Sequence, residues 1–213
     1  MKELTGSLVL ILILAFSLNS FGFFNKLSHP RYERLPTGDI VFQELGGEQG
    51  RAVRAATGSP FTHCGVVFEQ DGTLYVLEAI QPVSVVTLDS FRRRSKVFHA
   101  RRLKNRSSLN KENLNKALRW GQGQLGKNYD PLFQWDDENL YCSELVWKIF
   151  EKAAEVKLCT PKTFQSYFLD KPEVRRLIRQ RYGNQSNLPA QEPVVAPSDL
   201  AASNLLVEVP RRK

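Results

Sequence analysis

The stretch "FTHCGVVFEQDGTLYVLEAI" (61–80) constrains the fold more than any other part of the chain. Two runs rich in β-branched and aromatic residues flank Asp71-Gly72, a dipeptide suited to the positive φ angles of a tight hairpin turn. With those two residues at the turn the pairing is set: Gly65 faces Glu78 and His63 faces Ile80. Side chains alternate along a strand, so His63, Gly65, Glu78 and Ile80 share one face. Cys64 and Ala79 point the other way, into the core. Glu78 is then the diagonal neighbour of His63. Gly65 has no side chain and leaves the carboxylate room to lean towards the imidazole. A carboxylate bonded to one ring nitrogen fixes the tautomer and stabilises the imidazolium. The hairpin alone therefore predicts a His63–Glu78 pair. Each residue singly has a plainer reading, as a satisfied half-buried histidine and a solvated strand carboxylate.

A base needs something to act on. In "NLYCSELVWKIF" (139–150) and just beyond, Leu145, Val146, Ile149, Phe150 and Ala153 recur at helical spacing. The pattern predicts a helix from near Cys142 to about Leu158, with Cys142 in its first turn on the buried side. Unpaired N–H groups at a helix start favour a thiolate and can hold an oxyanion. A buried cysteine is also a common small hydrophobe, so position alone decides little. The other histidines serve less well: His29 precedes a proline in the lead-in, and His99 lies among cations in "KVFHARR". Cys142, His63 and Glu78 thus make a nucleophile, a base and a group to orient it. Tyr141, Tyr129, Asp130 and Trp135 are candidate substrate-binding residues, with packing or loop anchoring as the alternative for each. Ser143 and Glu144 fit capping roles, and Glu144 is expected to face outward, since a carboxylate turned inward would oppose the thiolate.

Around these fragments the chain reads as α+β. Strand-like segments lie at 37–45, 61–70, 73–80, 82–91 and 95–103. A Gly-rich loop with one helical turn is expected at 46–60, and a helix over 110–125 with Asn110 as its N-cap. Residues 126–140 read as a loop, and 160–168 with 172–180 as a short helical region. From 184 the chain is rich in Pro and Ser and reads as an extended C-terminal arm, 184–213. At the other end, "MKELTGSLVLILILAFSLNSFG" (1–22) reads as a signal peptide or N-terminal anchor. Its apolar run falls short of the about 20 residues that a membrane span needs. This leaves 23–183 as one domain and predicts an exported, periplasmic or envelope-associated protein.

Taken in order, "GDIVFQ", "FTHCGVVF", "YVLEA" and "YCSELVWKIF" resemble the permuted NlpC/P60 group of papain-like cysteine hydrolases, in particular its YiiX-like branch. The likeness covers roughly 36–170, and "APSDLAASNLL" (196–206) is similar to the C-terminus of that branch. The histidine strand precedes the cysteine helix, as in permuted members. The resemblance implies a papain-like fold, with an antiparallel sheet packed against the helix bearing the cysteine. It implies Cys142 as nucleophile, His63 as base and Glu78 as the third polar residue. It also implies hydrolysis of an amide through a thioester, with peptides of cell-wall type as substrate. A lipid acyl hydrolase or acyltransferase at a membrane surface is the alternative, and a catalytically inactive peptide- or lipid-binding module is a third. Cys64 departs from the pattern, where an aliphatic residue is expected.

Charge bears on partners. The chain of 213 residues carries a formal net charge of +8. A solvated face and an anionic wall or membrane surface both accommodate it. Nucleic acid is not expected, since no aromatic-rich single-strand platform accompanies the basic runs. Three cysteines, an odd number, give no disulfide scaffold and no zinc spacing. No metal and no cofactor are expected, and the oligomeric state is not readable from the chain.

Overall fold

The computed structural model describes residues 35–211. The segment expected as a leader, and His29, lie outside the described residues. Among those described, eight strands occur: β1 (Ile40–Gln43), β2 (His63–Gln70), β3 (Thr73–Ala79), β4 (Val83–Thr87), β5 (Phe98–Leu103), β6 (Lys162–Thr163), β7 (Pro193–Val194) and β8 (Leu206–Glu208). Six of them form one antiparallel sheet in the order β4-β3-β2-β1-β5-β8, and β6 pairs with β7 in a small second ladder. The α+β architecture follows from this sheet and the helices packed on it.

The β2–β3 hairpin has the register its turn dictates, with Val66 opposite Leu77 and Gln70 opposite Thr73. Asp71 and Gly72 take φ of 50° and 75°, the primed turn that matches the right-handed strand twist. Where β3 passes Gly65 the strands are so close that a Cβ there would lie 2.5 Å from Val76 Cγ1 and 2.8 Å from the Leu77 carbonyl oxygen.

Several segments differ from the expectation. Residues 46–60 form not one turn but the three-turn helix α1 (Gly47–Thr57). Good helix formers such as Glu, Gln, Arg and Ala fill its interior and outweigh the glycines at its entry. The strand expected over 82–91 stops at Thr87, whose Oγ1 accepts from Ser90 N at 3.2 Å and starts the short helix α2 (Leu88–Arg93). Helix α3 (Lys111–Gln122) has its expected cap, with Asn113 N donating to Asn110 Oδ1 at 2.8 Å. Helix α4 (Cys142–Ala154) starts where the apolar period predicts. Residues 160–168 give β6 and a single 3-10 turn rather than a helix, while 172–180 lies inside α5 (Pro172–Tyr182). Beyond 184 the chain is not a free arm. It supplies β7, α6 (Pro197–Ala201) and β8, and β8 closes the sheet edge against β5. Val195, Leu200 and Leu206 in this segment are buried, and their apolar surface returns the chain to the body.

The sheet separates two cores. On one face Ile40, Phe42, Cys64, Val66 and Leu77 pack against Leu145, Val146 and Ile149 of α4. On the other, Val41, Val67 and Val76 pack against Leu88 and Phe91 of α2 and against Phe98. A third cluster joins Tyr141, Phe164, Val174, Ile178, Leu188 and Val194.

Candidate active site

His63 is the first residue of β2 and Cys142 the first of α4. Helix α4 lies on the opposite face of the sheet from the His63 side chain, so the two groups meet at the end of the strand. Their side chains are hydrogen-bonded. His63 Nε2 lies 2.5 Å from Glu78 Oε2, which leaves Nδ1 to the sulfur. All three groups are buried, at 4%, 3% and 0% exposure for Cys142, His63 and Glu78, so water does little to weaken their interaction.

A fourth group stands behind them. Arg94, at the end of α2, places Nη2 at 2.8 and 2.7 Å from the two Glu78 oxygens. Its guanidinium also lies over the Phe91 ring, and that ring stacks on the His63 imidazole at 5.7 Å. Glu78 is thereby held charged: burial pushes its pKa up, but His63 and Arg94 outweigh burial and the net shift is downward. Nothing in the sequence marked Arg94, because its partner is 16 residues away across a strand and a helix.

The electrostatics favour an ion pair. Burial works against the charged imidazole, but the Cys142 sulfur and Glu78 overcome it and lift His63 to about 9. The Cys142 thiol is pulled well below its ordinary value. The strongest influence is the Cys64 thiol, which donates to it. His63 and the Cys64 backbone N–H act the same way, against burial. Cys64 itself is pushed up by burial and by the neighbouring sulfur. The expectation that Cys64 points into the core holds. Because α4 covers that core face, pointing inward brings the thiol against Cys142.

Around the nucleophile several residues have structural work. Tyr141 OH accepts from Val195 N at 3.2 Å, and Ser143 Oγ donates to Val195 O at 2.6 Å. These bonds fasten the C-terminal segment to the start of α4. Glu144 does not face outward as expected: it is fully buried, accepts from Tyr141 N at 3.3 Å, and lies 2.8 Å from Lys148 Nζ. Burial lifts its carboxyl to about 8, so the inward turn brings less negative charge near the sulfur than an ordinary carboxylate would. Gln43, opposite His63 on β1, is buried with no hydrogen-bond partner for either amide atom among the described residues.

A cleft of about 800 Å³, counting the part open to solvent, reaches Cys142. Its walls are α1, the 129–133 loop, the start of α4, α5 and residues 194–197. Tyr129 and Tyr141 line it. Asp130 and Trp135 do not. Asp130 accepts from Leu132 N at 2.8 Å and also from Gln134 N, which makes it an organiser of its own loop. Trp135 packs edge-on against Trp147 and under Lys148, and against the cluster around Tyr141 and Phe164, without lining the cleft. His99 lies apart, against Arg211, with its pKa lowered first by burial and then by that cation. Among the described residues no three His, Cys, Asp or Glu side chains converge as metal ligands.

The chain is similar to known proteins in sequence and in fold. Residues 34–209 match the model of a family described as "Permuted papain-like amidase enzyme, YaeF/YiiX, C92 family". The protein YiiX of Escherichia coli strain K12, itself uncharacterized, is 32% identical over 163 residues, which are 76% of this chain and 79% of that one. The crystal structure of yiiX from E. coli O157:H7, a protein described as a metalloprotein, is 30% identical, with a TM-score of 0.76, over 86% of this chain and 98% of that one. Among the described residues the donor set of the present site does not make up a metal centre.

Proposed function

This chain belongs to the permuted papain-like amidases of the YaeF/YiiX, C92 family, and on that premise we propose that it hydrolyses an amide through Cys142, His63 and Glu78. The observation that carries the proposal is the contact of a depressed thiol with an imidazole whose far nitrogen is held by a buried, charged carboxylate.

The resting pair is thiolate and imidazolium. The sulfur attacks the carbonyl carbon, forming a C–S bond, and the carbonyl oxygen takes the negative charge. First-turn N–H groups of α4 are the donors suited to that oxygen, and the Cys64 N–H, already aimed at the sulfur, is another. His63 then gives its proton to the leaving nitrogen, the C–N bond breaks and a thioester remains. Water attacks the thioester, with the now neutral His63 taking its proton, and the carboxylic acid leaves as the thiolate re-forms. Glu78, held by Arg94, keeps the ring in the tautomer that presents Nδ1 to the sulfur.

Peptides of cell-wall type and lipid-like acyl compounds both offer such a carbonyl. Export to the periplasm or envelope is the setting in which the first would be met.

The test is turnover of an amide panel by the wild-type chain and two variants. Cys142→Ala is expected to lower kcat by several orders of magnitude with the fold intact. Glu78→Gln is expected to lower it by roughly 10²–10⁴, through the wrong tautomer. A Cys142→Ala protein as active as the wild type would overturn the proposal.

A further inference from the structure

Cys64 is a nucleophilic side chain that the amidase steps do not use. It is fully buried on β2, on the sheet face that α4 covers, in the same cluster as Cys142. A valine would fill such a core position, so packing alone does not call for sulfur. The thiol donates to the Cys142 sulfur, although the two elements that carry them lie far apart along the chain. Cys142 lines the cleft and Cys64 does not. A small solute in the cleft therefore meets the Cys142 thiolate first and finds Cys64 behind it, on the core side. The third thiol, Cys159, is differently placed. It lines another groove with Trp147 and Asn204, and burial pushes it up to about 12, so it carries little thiolate.

A thiolate stabilised by an imidazolium and reached by solvent is the form of cysteine that hydroperoxides oxidise. We infer that Cys64 is a resolving thiol: a hydroperoxide converts Cys142 to the sulfenic acid, and Cys64 closes a disulfide with it, which shuts the site reversibly. In the first step the Cys142 sulfur attacks a peroxide oxygen. An S–O bond forms, the O–O bond breaks, and the His63 proton leaves with the departing oxygen as water or an alcohol. The oxygen arrives from the cleft, which leaves the core side of the sulfur to Cys64. In the second step the Cys64 sulfur attacks the Cys142 sulfur. The S–S bond forms, the S–O bond breaks, and the Cys64 proton goes out with the hydroxyl as water. The two sulfurs together lose two electrons, and the peroxide gains them. The neighbouring thiolate, which helps to hold Cys64 protonated, has gone by the second step. A dithiol reverses the bond by exchange. Without Cys64 the sulfenic acid would go on to sulfinic acid, which thiols do not reduce. The inference rests on Cys142 as the reactive sulfur of the proposed amidase.

The reduced full chain is treated with a small excess of hydrogen peroxide, and its peptides are mapped by mass spectrometry without reduction. The expected product is an intramolecular link between the Cys64 and Cys142 peptides, with Cys159 still free to be alkylated. Iodoacetamide labelling of Cys142 should be lost on treatment and restored by dithiothreitol. In Cys64→Val, and in Cys64→Ser as a second variant, the same dose should carry Cys142 to sulfinic acid. Dithiothreitol should then restore roughly tenfold less labelling than in the wild type, each protein being measured against its own untreated sample. Sulfinic acid accumulating on wild-type Cys142 as fast as in the variants, or a link made through Cys159, overturns the inference. If neither variant folds, the wild-type map decides by itself, since a chain without the Cys64–Cys142 link has no resolving thiol. The link forming in a protein whose amide turnover survives Cys142→Ala sinks the amidase reading and leaves the resolving thiol. Turnover abolished by Cys142→Ala, with no link formed, does the reverse.

Discussion

At the scale of single residues, the chemistry turns on what surrounds one sulfur. Cys142 has two neighbours that favour its thiolate, Cys64 and His63, and the Cys64 thiol is the stronger. A hydrogen bond donated to a charged group stabilises that charge. Replacing Cys64 with Ala is therefore expected to raise the Cys142 pKa, so the midpoint of its alkylation by iodoacetamide moves to higher pH. An unmoved midpoint would show that the second thiol has no part in activation. The wild-type protein also has an upper limit. His63 is held at about 9, so the ion pair is lost as pH rises through that value, and kcat should decline there with the imidazolium that protonates the leaving nitrogen. Glu144 adds a stability effect of opposite origin to a salt-bridged acid. Its folded value of about 8 lies above the ordinary 4.5. The folded state therefore binds the proton more tightly. Stability from this group is complete below 4.5 and is lost as pH rises through 8. Glu144→Gln should flatten the melting temperature across that window, measured by thermal denaturation at a series of pH values.

At the scale of elements, the hairpin is the positioning device. Its turn residues set the register, the register places Glu78 diagonal to His63, and Gly65 allows the strands to approach. A methyl at Gly65 would meet Val76 Cγ1 and a backbone oxygen that cannot move aside. Gly65→Ala is expected to cost roughly 1–3 kcal/mol, by overpacking. At this chain size that lowers the melting temperature by about 2–4 °C per kcal/mol. An unchanged melting temperature would mean that the strands can separate freely at this point. These elements were legible because their signals are local: a turn dipeptide, a period of two, an Asn cap, a 3.6-residue apolar stripe. Helix α1 was not, because its glycines read as a loop while its stability draws on packing against α5 and the cleft residues. Arg94 was not, because an ion pair across two elements leaves no mark in spacing.

For the whole molecule, the C-terminal segment matters most. It closes the sheet at β5, walls the cleft at 194–197 and is bonded to both residues flanking Cys142. Deleting residues 195–213 removes Val195, Leu200, Leu206 and Val209 from the interior. At about 1.5–3 kcal/mol for each large buried side chain, the loss rivals the 5–15 kcal/mol that holds a typical domain folded. The truncated chain is expected to lose its cooperative thermal transition by circular dichroism; a sharp transition near the wild-type temperature would show that the segment is dispensable. The sequence by itself determined the hairpin, its register, the His63–Glu78 diagonal and the placing of a cysteine at a helix start, because turn geometry and side-chain period act over a few residues. Only the tertiary structure decided which sheet face α4 covers. That choice set Cys64 against Cys142, joined the sulfur to the imidazole and lined the cleft with apolar groups, because burial is shared among segments far apart along the chain.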